Sequence, residues 1–274
     1  MDVSLLEKEN PFFTKSTAIE LANIHISEKD CYDKLYEVLE NKYKPLIIID
    51  NNLFDNYLNF FSNINKPFIL TIISSNNASS CLDNLKENDL DFVKLLNNDN
   101  MIVMFCSQKK HTHHKISSYP IGPLRVTKHI EKFDAKCKFF ETHKRNFLFY
   151  DFTQDDDSTD YLFNTYDRVD TSSMTDIEYY TVLETYKFCA ISPSQQQQHQ
   201  VWEALLVGTI PIILSSGSND LYINLPVIII HNWFTITPEY LENMYIELTN
   251  YNNYEYEKLY KFYWLNNIIK YKNK

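Results

Sequence analysis

The sequence predicts an α/β protein assembled from βαβ units with parallel sheets, and three observations carry that prediction. Short apolar runs, PLIIID (45–50), PFILTIIS (67–74) and MIVMFC (101–106), alternate with stretches of helical period. The same alternation starts again at Asn146 and runs to the C-terminal region. Residues 186–214 then compress a strand, a polar loop, a helix, a glycine stop and a second strand into one βαβ unit. The chain has only three glycines, Gly122, Gly208 and Gly217, and two of them fall in or just after that unit. Glycine permits positive φ and close backbone approach, so a chain this sparing of it marks these points as needing that freedom.

Residues 27–42 have the spacing of an amphipathic helix. Ser27 is placed to cap it, with Asp30 three residues on, and Cys31, Leu35, Val38 and Leu39 share one face. PLIIID reads as a buried strand, FDNYLNFFSNI (54–64) as a helix and PFILTIIS as the next strand. A further helix lies within 82–98, before the strand MIVMFC. In the second half NFLFYDF (146–152), KFCAIS (187–192), TIPIIL (209–214) and PVIII (226–230) read as strands, and DIEYYTVLETY (176–186) as a helix. Thr237 caps another helix, with Pro238 at its first position. The C-terminal segment 254–271 is helical, with Leu259, Phe262, Tyr263 and Ile269 on an apolar side. The boundary between halves is expected in the charged stretch 131–145, dividing 1–140 from 141–274.

With 274 residues the chain is long enough for one large domain or two small ones. A net charge of −10 argues against nucleic acid and anionic membrane surfaces as general partners. The five cysteines, Cys31, Cys81, Cys106, Cys137 and Cys189, are odd in number and lack a Cys-x-x-Cys pair, the pattern of reduced thiols in a cytoplasmic protein. Cys106 and Cys189 lie in apolar runs and are the expected core thiols. The N-terminus has no signal-peptide pattern, and no apolar stretch approaches the ~20 residues of a membrane span. The heavy use of Asn, Lys, Ile and Tyr is that of an AT-rich genome, as in large viruses or protists. Neither a Gly-x-x-x-x-Gly-Lys loop nor a Gly-x-Gly-x-x-Gly fingerprint occurs, which argues against ATPase and dehydrogenase chemistry.

The order Ser192-Pro193, His199, Trp202-Glu203-Ala204-Leu205, Gly208 and Ile210-Pro211-Ile212 resembles the donor-binding half of exostosin-like glycosyltransferases. The similarity continues through Asp220-Leu221-Tyr222, Leu225-Pro226-Val227 and Asn232-Trp233, and covers the chain from Asn146 onward. Upstream, MFCSQKKHTHHKISSYPIG (104–122) is similar to the family's Phe-x-x-Asn, His-x-Lys and Pro-Ile-Gly. The resemblance implies two Rossmann-like domains facing a cleft, a reduced GT-B arrangement. Residues 1–140 would bind the acceptor, and 141–274 the nucleotide-sugar, with the C-terminal helix crossing back. It implies transfer of a sugar from a UDP- or GDP-linked donor to a glycan or glycoprotein, with inversion and with neither metal nor cofactor.

Sugar transfer builds charge on the departing diphosphate, so the donor site must hold that anion and orient the acceptor. A loop at a strand's carboxyl end that opens into a helix N-terminus suits a diphosphate, and 192–200 is such a loop. The resemblance assigns Glu203 to the donor's ribose hydroxyls, a task that suits a carboxylate's acceptor pair. It sets Arg168 at the diphosphate, although a surface ion pair serves that arginine equally well. His199, Ser192, Ser194 and Gln200 fall in or beside the same loop. Ser215 and Ser216 follow a strand, where they either line the nucleotide pocket or form a polar turn. Trp202 and Pro211 read as packing residues. Asp50, ending PLIIID, is a candidate acceptor base by position, or a helix cap. His113 and His114, with His111, form a cluster that either binds acceptor or is a solvated loop; Asp155, Asp156 and Asp157 read as a solvated turn.

The chain departs from the family where His-Arg becomes His199-Gln200 and where a glycine-rich loop becomes Ser194 with four glutamines; the family's Asn is Gln108. One charge-assisted contact is thereby lost, weakening transition-state stabilisation by about 1.5–3 kcal/mol. A non-catalytic binding or scaffold protein that kept the fold is therefore the alternative reading.

Overall fold

The computed structural model describes residues 15–73, 89–107, 109, 112–125, 144, 146–152, 160–192 and 195–273, without the side chains of 15–17, 160, 161, 163 and 195–198. The fold is α/β with two all-parallel sheets, one of five strands and one of four. The described chain divides into two compact units. One holds the residues up to Ile121 together with 216–221 and 261–273; the other holds those from Gly122 to Ser215 and from Tyr222 to Tyr260. The described chain thus passes between units at Ile121/Gly122, Ser215/Ser216, Leu221/Tyr222 and Tyr260/Lys261. Of the charged stretch 131–145, only Lys144 lies among the described residues.

The five-stranded unit begins with α1 (Lys15–Leu21), β1 (Ile24–Ile26), α2 (Tyr32–Asn41), β2 (Leu46–Asp50), α3 (Asn51–Ser62) and β3 (Phe68–Ile73). It continues through α4 (Leu90–Asn97), β4 (Met101–Cys106) and β5 (Ile116–Ser118), and takes in the last helix, α9 (Lys261–Asn273). The strands pair in chain order. A sheet that grows in one direction through right-handed crossovers collects its crossover helices on one face. On that face Ile47, Ile49, Leu70, Ile72 and Met104 pack with Leu35, Leu39, Phe54, Phe61 and Phe92. The opposite face is buried as well, at Ile48, Ile69, Val103 and Phe105. There α1 packs on β2, and Tyr271 of α9 meets Phe105 edge-on at 5.6 Å. Burial on both faces explains why these strands are continuous apolar runs.

Three local expectations are corrected. The helix of residues 27–42 starts only at Tyr32, with Cys31 at its N-cap and no side-chain cap from Ser27. The buried Tyr57 hydroxyl takes the orphan Cys31 N–H at 2.9 Å and donates to the Lys29 carbonyl at 2.6 Å, so a long-range tie replaces the local cap. The C-terminal helix is divided into a 3-10 turn, Tyr256–Leu259, and α9. The face that α9 buries is Trp264, Leu265 and Ile268, whereas Ile269 is exposed. The short strands β1 and β5, three residues each, carry too little pattern to be read from sequence.

The four-stranded unit runs β6 (Asn146–Phe149), α5 (Asp160–Thr165), α6 (Asp176–Leu183), β7 (Tyr186–Ile191), α7 (Gln195–Leu206), β8 (Ile210–Leu214), β9 (Ile228–Ile230) and α8 (Pro238–Asn250). Its strands also pair in chain order. One face carries Leu148, Phe188, Ile212 and Ile230 under Leu162, Trp233 and Leu241. On the other, Phe149 meets Tyr179 of α6 edge-on at 5.9 Å, and α7 packs on β7 and β8. Thr175 and Glu178 close a capping box at the start of α6, and Thr237 caps α8 through the Tyr240 N–H. Gly208 ends the α7 segment at φ 69°, and Gly122 has φ 75°. Cys106 and Cys189 are fully buried, as expected; Cys81 and Cys137 lie outside the described residues. No helix among the described residues is long and apolar enough to cross a membrane.

Candidate functional site

Neither sheet reverses its strand order among the described residues, so neither has the switch point at which open α/β sheets usually bind ligands. Any site at a carboxyl edge must instead be built from loops and helix starts. In the four-stranded unit that edge carries Asp151 just past β6, Ser192 past β7, Ser215 past β8, and the first turns of α7.

Helical spacing sets His199, Gln200 and Glu203 close together on α7, and each is spoken for differently. Glu203 is fully buried. Its Oε1 accepts from the backbone N–H of Leu124 at 3.1 Å and of Arg125 at 2.9 Å, and its Oε2 accepts from Arg125 Nη1 at 3.1 Å. The Arg125 guanidinium lies over the Tyr179 ring, 4.0 Å from its centroid. Burial alone would lower the Arg125 pKa; the Glu203 carboxylate, with Tyr179 and Asp151, outweighs it and raises it. Burial pushes the neighbouring Tyr179 and Tyr180 hydroxyls up, and the same carboxylate adds to the shift.

His199 Nδ1 lies 2.6 Å from the Gly122 carbonyl. A carbonyl only accepts, so Nδ1 carries the proton and Nε2 is the acceptor nitrogen of the neutral ring. Burial lowers the His199 pKa, Arg125 adds to that, and the Gly122 bond and Glu203 work against it. The unfolded chain therefore binds this proton more readily than the folded one. The contribution is fully present above the ordinary imidazole value of ~6.5 and is lost as pH falls through the depressed one. We expect the melting temperature to decline between pH 7.5 and 5.5, and the decline to be shallower in His199→Asn. Equal slopes in melts of the two proteins would show that the ring does not titrate against folding.

Gln200, 5% exposed, donates from Nε2 to both Asp151 oxygens, at 3.0 and 2.9 Å. Its Oε1 is buried without a hydrogen-bond partner. Thr171 Oγ1 bonds Asp151 Oδ2 at 3.2 Å, and Arg168 Nε donates to the Asp151 carbonyl at 3.1 Å. Arg168 is exposed, and among the described residues its side chain forms no ion pair. Asp151, Gln200, Thr171 and Arg168 thus make a polar cluster at the carboxyl edge of the sheet.

Ser192 is buried, and Ser194 and Asp155–157 lie outside the described residues. Ser215 is exposed and its N–H donates to the Ile230 carbonyl at 2.7 Å. Ser216 is exposed and opens the turn before the 3-10 helix Asn219–Tyr222, its N–H on Asn219 Oδ1 at 2.9 Å. Trp202 packs, 2% exposed, beside the Tyr222 ring.

In the five-stranded unit His113 is half-buried in the turn entering β5, where its Nδ1 accepts the Lys115 N–H at 3.3 Å; His114 is exposed beside it. Burial, then the neighbouring His114 and Lys115, lowers the His113 pKa. His111 and Gln108 are outside the described residues.

Asp50 stands at the N-cap of α3 yet makes no side-chain cap bond. It instead faces His25 of β1, with Nε2 and Oδ1 3.1 Å apart. Since an ionised carboxylate accepts, His25 Nε2 carries the proton and Nδ1 is the acceptor nitrogen of the neutral ring. An imidazole oriented by a carboxylate is the arrangement of a general base.

Sequence reasoning gave no role to His25, Arg125 or Asp151. Each pairs with a residue 25 to 78 positions away, so spacing holds no signal for it. The one hint was Gly122, whose positive φ turns the chain just before Leu124 and Arg125. No family model matches the chain, and no curated protein matches it.

Proposed function

We propose that this protein transfers a sugar from a nucleotide-sugar to a hydroxyl of a glycan or glycoprotein, with inversion and without a metal. The observation that carries this reading is the polar cluster at the carboxyl edge of the four-stranded sheet. Arg168 is exposed there, and Gln200 presents an unsatisfied buried oxygen that a sugar hydroxyl would meet. An exposed guanidinium suits a diphosphate, and the resemblance to exostosin-like enzymes covers this same segment. Glu203 serves in this reading as a positioning residue: through Leu124 and Arg125 it fixes the loop that follows Gly122. Ser192, Ser194, His199, Ser215 and Ser216 remain donor-side candidates, and His113 and His114 acceptor-side ones. The acceptor hydroxyl attacks the anomeric carbon as the bond to the nucleoside diphosphate breaks. Its proton passes to a water base as the departing diphosphate takes up the negative charge.

One observation favours the scaffold reading. The Glu203 carboxylate already accepts three hydrogen bonds from the chain, which leaves little capacity for ribose hydroxyls. Calorimetry with UDP and GDP separates the two. Transfer predicts saturable binding that weakens at least about tenfold in Arg168→Ala, the loss of one charge-assisted contact, with an unchanged melting temperature because Arg168 is exposed. A folded wild type that binds neither nucleotide would leave the scaffold reading in possession.

A further inference from the structure

We propose that the groove between α2 and α3 is a binding site for a neutral oligosaccharide. It lies wholly within the five-stranded unit and stands independently of the transfer reading, since it needs neither a donor nor a reaction. Its volume is about 710 Å³, within the range of small-ligand sites.

The groove arises because two parallel helices turn matching rows toward each other. On α2 the row is Tyr32, Tyr36, Leu39 and Glu40; on α3 it is Asn56, Asn59, Phe60 and Asn63. Both rows have the three- and four-residue spacing of a single helical face. While α3 packs closely against α4 on its other side, its α2 side is left open.

Three rings form the wall, and they are held before any ligand arrives. Tyr32 stacks on the fully buried Tyr57 at 4.6 Å and donates its hydroxyl to the Asn56 carbonyl at 3.1 Å. Phe60 meets Tyr36 edge-on at 5.1 Å and Tyr32 at 5.6 Å. Tyr36 is 56% exposed, a large ring left in water. The rim is amide. Asn63 Nδ2 donates to the Asn59 carbonyl at 2.6 Å and to its side-chain oxygen at 2.8 Å, and its Oδ1 accepts from Lys94. Asn56, Asn65 and Glu40 complete the polar edge, with Lys66.

This combination selects the ligand. A sugar ring offers an apolar C–H face for an aromatic wall, and a fringe of hydroxyls that both donate and accept. The Asn56 and Asn65 side-chain amides match that fringe with one acceptor and two donors each, and a carboxylate takes two adjacent hydroxyls. The one acid and one base among the lining residues cancel, and a chain of net charge −10 disfavours a polyanion. An amphipathic helix laid here would bury the rim amides against apolar side chains, which costs free energy. Rings already fixed by stacking lose little entropy on binding.

The test is a titration of the isotopically labelled full chain with maltohexaose, cellohexaose and chitohexaose, read by amide NMR shifts along α2 and α3. At least one is expected to bind saturably and to shift the Asn56 and Asn65 side-chain amides. Tyr36→Ala is expected to weaken that binding at least tenfold, and Glu40→Gln to weaken it severalfold. Both side chains are exposed, so both variants should keep the wild-type melting temperature. Absence of groove shifts with all three sugars overturns the proposal, as does binding that survives Tyr36→Ala. A proline decamer that occupies the groove when the sugars do not would assign it to peptide instead. Nucleotide binding in the same preparation is read separately, so either site can fail alone.

Discussion

Glu203→Ala should lower the stability by about 3–5 kcal/mol, the cost of removing one partner from a buried ion pair. The side chain is fully buried, while the Arg125 side chain keeps 32% of its exposure. Alanine would orphan the N–H groups of Leu124 and Arg125 along with the guanidinium. These donors are part-buried, so each adds at most a desolvation cost of roughly 1–3 kcal/mol. Glu203→Gln keeps an oxygen for the two backbone donors but turns an amide N–H₂ toward Arg125, so its loss should be smaller. Urea denaturation at pH 7 measures both. A loss below about 1 kcal/mol in the alanine variant is the range of solvent-exposed pairs, and would show that water reaches the carboxylate. The prediction also warns against Glu203→Ala as a probe of nucleotide binding, because lost affinity and lost folding would be confounded. Arg168, exposed at the same sheet edge, is the cleaner probe.

The architecture was legible wherever burial on both faces wrote a continuous apolar run. LIIID, FILTII and MIVMFC each form a parallel strand within a residue or two of the expected limits. Thr237 with Pro238 marked the start of α8 because capping is local chemistry. Gly208 marked the end of the α7 segment for the same reason. Local rules failed where a distant residue did the work. Ser27 was the obvious cap for α2, but Tyr57, in the next helix, supplies the hydroxyl. The resemblance to exostosin-like enzymes drew attention to Glu203, His199 and Gln200; the polar loop expected over 192–200 is instead helix from Gln195, and that one helix carries all three. Their partners Arg125, Gly122 and Asp151 come from other segments and set what each can do. A carboxylate that looked available in sequence is engaged in the fold, whereas the oxygen left unsatisfied belongs to Gln200. Asp50 is the mirror case: the expected cap bond is absent, and His25, on a strand too short to read, is its partner.

Trp233→Ala should cost about 3–5 kcal/mol, the usual range for deleting a buried aromatic side chain, and should do so in one unit alone. Trp233 is 1% exposed, meets Phe152 at 6.0 Å between ring centroids, and packs with Leu162 and Ile212 in the core of the four-stranded unit. Ile47, Leu70, Phe54 and Phe61 belong to a separate cluster in the five-stranded unit, and the two clusters share no residue. A cavity under Trp233 therefore removes contacts from one core and leaves the other intact. Unfolding followed by far-ultraviolet circular dichroism should separate into two transitions, the earlier one shifted by the substitution and the later one at its wild-type midpoint. Phe61→Ala, made in the other cluster, should move the other transition. One transition shifting as a whole in both variants would show that the cores unfold together, in which case a ligand bound to either unit would stabilise both.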